Sequence, residues 1–226
     1  MDWQFLVSWC KIVLLDLTLA GDNAVVIAMA VHTLPSHQQR AGIFFGALGA
    51  VILRIILTFM AAQLLDIPSL QFFGGVLLIW IAFKLLSQDG GDKPEVQQGA
   101  TLLKAVRIII IADLIMSTDN ILAIAGASDG STLLLILGLC LSIPIVVCGA
   151  AFVALLMSRY GWLVYLGGAI LGEVAGKMMV EDDFIEDTLG AASPQLEWCV
   201  RIALASAIVV IGALVMRRYN DTPALK

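Results

Sequence analysis

The sequence predicts an all-α polytopic membrane protein. Seven transmembrane helices form two inverted three-helix repeats plus one extra C-terminal helix, with the N-terminus outside and the C-terminus inside. Three observations carry this prediction. First, only 14% of the 226 residues are charged, 60% are hydrophobic and mean hydropathy is +0.97, whereas about a quarter of a soluble domain is charged. Second, apolar stretches of the roughly 20 residues needed to cross a bilayer recur along the chain. Third, a polar motif inside one such stretch returns at mid-chain: D-L-x-x-x-x-D-N occupies residues 16–23 and again residues 113–120.

The spans follow in order as 5–31, 41–64, 70–87, 104–126, 131–157, 161–180 and 199–216, within a single transmembrane domain, 1–226. The first carries Asp2 and no basic leader, and it is too long for a signal peptide, so it reads as a retained helix. Residues 32–40 are polar and contain Pro35, and His32 and His37 are expected in solvent there. Asp66, Pro68 and Ser69 mark a turn, and residues 87–99 form a Gly-rich charged loop with Pro94. Short turns at 129–131 and 158–161 bound the fifth span, and an acidic loop, 181–197, precedes the last.

Loop charge sets the orientation, because Lys and Arg favour the cytoplasmic side. With the N-terminus outside, the inner side holds Arg40, Lys84, Lys93, Lys104, Arg107, Arg159, Arg217, Arg218 and Lys226, and the outer side only Lys11, Lys177 and Arg201. The net charge of -5 and the lack of a clustered basic face exclude nucleic acid as a partner. Cys10, Cys140, Cys148 and Cys199 have no CxxC spacing and are expected to pack as small apolar residues.

The repeat extends beyond the acidic motif. Phe73-Gly74-Gly75-Val76-Leu77-Leu78 matches Leu166-Gly167-Gly168-Ala169-Ile170-Leu171, which sets Lys84 against Lys177. Repeat one is 5–87 and repeat two is 104–180. Each has three spans, an odd number, so the second copy enters from the opposite face. In secondary transporters of that plan the site lies at the repeat interface near the midplane. The G-x-x-x-G runs at 42–46 and 168–172 permit close helix contact, expected within the bundle, with a homodimer as the other use.

Asp16, Asp22, Asp113 and Asp119 are acids inside apolar spans, where ionisable groups are costly and mark functional sites. On an ideal helix Asp16 and Asp22 stand about 120° apart, while Asp16 and Asn23 share a face. Local unwinding at Ala20-Gly21 and at Ser117-Thr118 is therefore expected, to gather all three groups. Carboxylate and amide oxygens are hard ligands, suited to Mg²⁺, Ca²⁺ or Mn²⁺ rather than Zn²⁺ or Cu⁺. The metal candidates are Asp16, Asp22, Asn23, Asp113, Asp119 and Asn120. Glu173 is an additional metal or proton site, or a partner for Arg54, the only mid-span base. Arg54 is expected chiefly as a charge partner. The acidic cluster from Glu181 to Asp187 is expected in solvent, and Trp3, Trp9, Trp162 and Trp198 sit near span ends, as interfacial aromatics do.

These motifs, with the Ala24-Val25-Val26-Ile27-Ala28 and Ile121-Leu122-Ala123-Ile124-Ala125 runs that follow them, resemble the TerC family of integral membrane proteins over residues 5–216. The resemblance implies a role in metal resistance, with several members exporting manganese, and a likeness to LysE-type exporters built from inverted three-helix repeats. The expected function is divalent metal export, Mn²⁺ foremost, by alternating access across the plasma or inner membrane, with proton coupling. Mn²⁺ is then the transported substrate, and no organic cofactor or enzymatic activity is expected. Two alternatives are an intramembrane aspartyl protease, which lacks here the first Gly of a G-x-G-D element, and an accessory protein that metallates exported enzymes at the translocon.

Overall fold

The structure is a computed structural model that describes residue 13 and residues 21–60, 69–87, 98–127, 132–189 and 192–221. Every regular element among the described residues is an α-helix: α1 (Gly21–Val31), α2 (Ser36–Phe59), α3 (Leu70–Ser87), α4 (Gln98–Ala127), α5 (Thr132–Arg159), α6 (Trp162–Val180), α7 (Asp183–Leu189) and α8 (Pro194–Asp221). Among them α2, α6 and the Pro194–Leu214 part of α8 are long and apolar enough to cross a membrane. The chain divides into two compact units, Met1–Ile67 with Thr101–Leu155, and Pro68–Ala100 with Leu156–Lys226. Each unit draws on both predicted repeats. One takes the first two helices of each repeat, and the other takes the third of each plus the extra helix.

In the first unit, α2 turns most of its glycines and alanines inward, together with Ile43, Val51 and Leu57, and leaves other large apolar residues outward. Gly42, Gly46, Ala47, Ala50 and Arg54 are buried, while Phe44, Phe45, Ile52 and Ile56 are at least half exposed. That pattern is the reverse of a soluble helix. It suits lipid, where close backbone approach rather than the hydrophobic effect drives helices together. A Cβ added at Gly46 would stand 2.6 Å from Ile109 Cδ1, and one at Gly42 3.4 Å from Leu102 Cδ1. The contact partners rise in number along both chains, so α2 and α4 run parallel. Met29, Ile109, Ala112 and Ala150 are buried in this unit.

The turn from α1 to α2 is tight. Gln39 Nε2 donates to the carbonyls of His32 (3.1 Å) and Leu34 (3.0 Å), which satisfies oxygens that the end of α1 leaves open. His32 is buried rather than solvated, and its Nδ1 meets the Met29 carbonyl at 2.7 Å. His37 is exposed as expected. Pro35 supplies an N-cap at φ -55°, so α2 begins at Ser36 rather than at residue 41.

The second unit is built on α3, α6 and α8. A Cβ at Gly75 would meet Met179 Cγ at 2.6 Å and the Ala175 carbonyl at 2.8 Å, and one at Gly168 would meet Leu86 Cδ1 at 2.8 Å. The start of each helix lies against the end of the other, so α3 and α6 are antiparallel. The offset of 93 that relates Gly75 to Gly168 also relates Leu86 to Met179. The two contacts are therefore copies of one another. The other face of α6 seats α8: a Cβ added at Gly172 would stand 2.8 Å from Ala205 Cα, and one at Gly176 2.9 Å from Arg201 Cα. Both G-x-x-x-G faces are thus occupied within their own units.

In the acidic loop Glu181, Asp183, Glu186 and Asp187 are exposed as expected, and Asp182 is the exception. Residues 183–189 form α7, and Asp182 is buried at 2% exposure. Its carboxylate accepts from Phe72 N (3.0 Å) and Phe184 N (3.1 Å), so it caps the first turns of α3 and α7. Ser69, at φ 60°, makes the turn into α3. Cys148 and Cys199 are exposed rather than packed, a placement that suits a weakly polar thiol on an apolar membrane-facing surface. Cys10 and the side chain of Cys140 lie outside the described residues.

Candidate functional site

The site forms in the first unit, where α1, α2, α4 and α5 meet. α4 is one α-helix from Gln98 to Ala127 and passes through the whole second motif. The unwinding expected at Ser117-Thr118 is absent, and the reason is local. Asp113 and Ser117 are four residues apart and share a helix face. The Ser117 hydroxyl donates to Asp113 Oδ2 at 3.1 Å. The facing helix supplies the rest, so no backbone group has to be freed.

That facing residue is Arg54 on α2. Its Nη2 donates to Asp113 Oδ1 at 2.6 Å, and its Nε donates to Ser117 Oγ at 3.2 Å. Arg54 and Asp113 are 4% and 6% exposed and Ser117 is fully buried. A buried charge is tolerated when paired and hydrogen-bonded, and this pair is both. The expectation that Arg54 balances one of the motif acids is met at Asp113.

The first copy of the motif enters from α1. Gly21 is already helical, Asp22 is exposed and Asn23 is 4% exposed. The contrast between adjacent residues follows from the ~100° step along a helix. Neither Asn23 Oδ1 nor Nδ2 meets a hydrogen-bond partner among the described residues. Asn23 and Asp113 together line two small cavities, of about 10 and 20 Å³, with Ile27 in both walls and Arg54 in the larger. A space of that size holds one water molecule or a stripped ion. An unpaired buried amide costs roughly 1–3 kcal/mol, so an oxygen-seeking occupant suits this place.

Ile143 and Val146 of α5 complete the larger cavity, and Pro144 lies between them inside the helix. Proline has no N–H to give the Cys140 carbonyl, which leaves that oxygen without its donor in α5. Sequence reading passed over both Ser117 as a ligand-orienting hydroxyl and Pro144. The signals were the i,i+4 spacing to Asp113 and a proline in mid-span.

The remaining candidates are distributed as follows. Asp16 lies outside the described residues. Asp119 and Asn120 lie on the α4 helix, Asn120 two turns beyond Asp113, but their side chains lie outside the described residues. Glu173 sits on α6 in the second unit, one-third exposed, and is held by Arg201 through both Nε and Nη2. Arg201 Nη1 also donates to Glu197 Oε1 at 2.6 Å, and the guanidinium stands 4.4 Å over the Trp198 ring. Arg54 and Glu173 thus each have a different partner. Among the described residues no three His, Cys, Asp or Glu side chains gather as a metal cluster. The described side-chain oxygens that line the cavities are those of Asn23 and Asp113, with the Ser117 hydroxyl hydrogen-bonded to Asp113 beside them.

The family model of the integral membrane protein TerC family matches residues 1–221, and so spans both motif copies and all the helices above. The chain belongs to the TerC family. It is 41% identical over 182 residues to YjbE, an uncharacterized membrane protein of Bacillus subtilis, covering 80% of this chain and 83% of that protein. It is 29% identical over 166 residues to YkoY of the same organism, covering 68% of this chain and half of the relative. The inner membrane protein YgdQ of Escherichia coli K12 is 25% identical over 133 residues. No solved structure matches the chain. TerC membership and the apolar helices make this an integral membrane protein.

Proposed function

We propose that this TerC-family protein exports a divalent cation, Mn²⁺ foremost, across the plasma membrane by alternating access of two inverted three-helix repeats. Seven spans cross the bilayer, with the N-terminus outside. One observation carries the reading: Asn23 from the first motif and Asp113 from the second line one small cavity, with the Asn23 amide unpaired among the described residues. In this reading Asp16, Asp119 and Asn120 complete the oxygen set, and Asp22, exposed and outside the cavity lining in this structure, joins it in another state of the transport cycle. Hard oxygens of this kind take Mn²⁺, Mg²⁺ or Ca²⁺.

Two further features support the architecture. The Gly75–Met179 and Gly168–Leu86 contacts are copies under the repeat offset and bring α3 and α6 together antiparallel. A repeat whose second copy is inverted requires that arrangement. The parallel course of α2 and α4 agrees with the same topology, since both would run from inside to outside.

The test is Asp22→Asn and Asp119→Asn in cells challenged with manganese. The expected outcome is a rise in intracellular manganese at normal expression of both variants. Manganese held at the wild-type level in both would overturn the assignment.

A further inference from the structure

We infer that Arg54 is a built-in counter-cation of the site, holding Asp113 while the ion is absent and yielding it to an arriving divalent ion. The inference rests on the metal-site reading above and deepens it.

The geometry supplies the first argument. The guanidinium lies on the carboxylate that a cargo ion would use, at 2.6 Å. An ion reaching Asp113 meets a carboxylate whose charge the Arg54 guanidinium at Oδ1 already offsets, and that guanidinium repels it. Asn23, the other described oxygen ligand lining the same cavity, meets no hydrogen-bond partner among the described residues. The cavity therefore contains one ligand already engaged by an internal cation and one ligand waiting.

Charge supplies the second. Displacing a guanidinium by a monovalent ion exchanges one unit charge for another and gains little. A divalent ion brings twice the charge to the same carboxylate, and in a low-dielectric interior that difference is large. Arg54 thus raises the threshold for occupancy and favours divalent over monovalent cations.

The repeat supplies the third. The offset between copies is 97 at the acidic motif and 93 at the glycine pairs, which places the counterpart of Arg54 between residues 147 and 151. That stretch reads Val147-Cys148-Gly149-Ala150-Ala151 and holds no base. The counter-cation exists in one half only. It makes two otherwise matched halves of the site unequal when empty.

The experiment measures Mn²⁺ binding to the purified full chain in detergent by equilibrium dialysis, with wild type, R54K, R54Q, D113N and R54Q/D113N. Removing the competitor is expected to tighten binding about tenfold in R54Q, with Na⁺ now competing where it does not in wild type. R54Q/D113N should lose that gain, because the freed carboxylate is what the ion captures. R54Q that binds no more tightly than wild type overturns the inference. So does a double variant that keeps the gain, since Asp113 would then lie outside the ligand set. Should R54Q not fold, R54K decides: its single ammonium lacks the fork that reaches both Asp113 and Ser117, so a severalfold gain is expected, and no gain overturns the inference. Absence of Mn²⁺ binding in wild type and every variant overturns the metal reading itself, a result distinct from the others.

Discussion

The two units of this protein solve the same packing problem in opposite ways. The second is a dry seam: glycines of α3 and α6 bring backbones together, and its strongest ion group, Arg201 with Glu173 and Glu197, stays partly exposed at 16%, 33% and 25%. The first buries its polarity, with Arg54, Asp113, Ser117, Thr58 and Asn23 all under 9% exposure. Thr58 anchors itself by donating to the Arg54 carbonyl at 2.7 Å. Burying a charge is expensive, and among the described residues the second unit does so only at Asp182, whose carboxylate rests on backbone amides at two helix starts. The first unit thus holds the buried ion pair, and the second is a glycine-packed frame.

The contrast breaks most sharply at Arg54. Arg54→Leu leaves the Asp113 carboxylate buried without this partner, and we expect a loss of about 3–5 kcal/mol, by analogy with other broken buried pairs. The double variant R54L/D113L should recover most of it, since an apolar pair of similar volume is tolerated there. Reversible unfolding in mixed micelles checks both. A double variant as unstable as the single one would mean that the ion pair is not the source of the loss.

The frame should fail sterically rather than electrostatically. In Gly172→Val the new Cβ meets Ala205 Cα, a backbone atom that cannot rotate away, so a loss of roughly 2–3 kcal/mol is expected. Gly46→Ala in the first unit meets side-chain atoms alone, Ile109 Cδ1 at 2.6 Å, Cγ2 at 3.0 Å and Cβ at 3.3 Å, and should cost less. Equal losses for the two, measured in the same micelles, would erase the distinction between backbone and side-chain contact.

The smallest effect is at Asp182. Asp182→Ala removes the acceptor for Phe72 and Phe184 amides and should cost about 1–2 kcal/mol, as lost helix caps do. Asp183→Ala, an exposed neighbour, should change little. Melting temperatures of the two variants separate a cap from a solvated charge.

Much of this was legible before any coordinates. The third span was read as 70–87, and α3 is Leu70–Ser87; the sixth was read as 161–180, and α6 is Trp162–Val180. Glycine, proline and charge punctuate those ends, and punctuation is local. The buried state of Asp182 and His32 was not legible, because each depends on a backbone group brought from elsewhere or on a tight turn. The unwinding expected in the second motif failed for a related reason. It assumed that one helix must gather all its own polar groups, whereas Arg54 came to Asp113 from another helix.

The sequence by itself determined the membrane class, the family and the doubled acidic motif, because composition, apolar run length and repeats are properties of the chain read in order. Tertiary structure alone decided which acid meets which base. Arg54 had several acids to choose from, the motif aspartates foremost and Glu173 besides. The register of α2 beside α4, set by Gly42 and Gly46 against Leu102 and Ile109, put Arg54 level with Asp113. Register is a property of two surfaces in contact, and neither helix carries it alone.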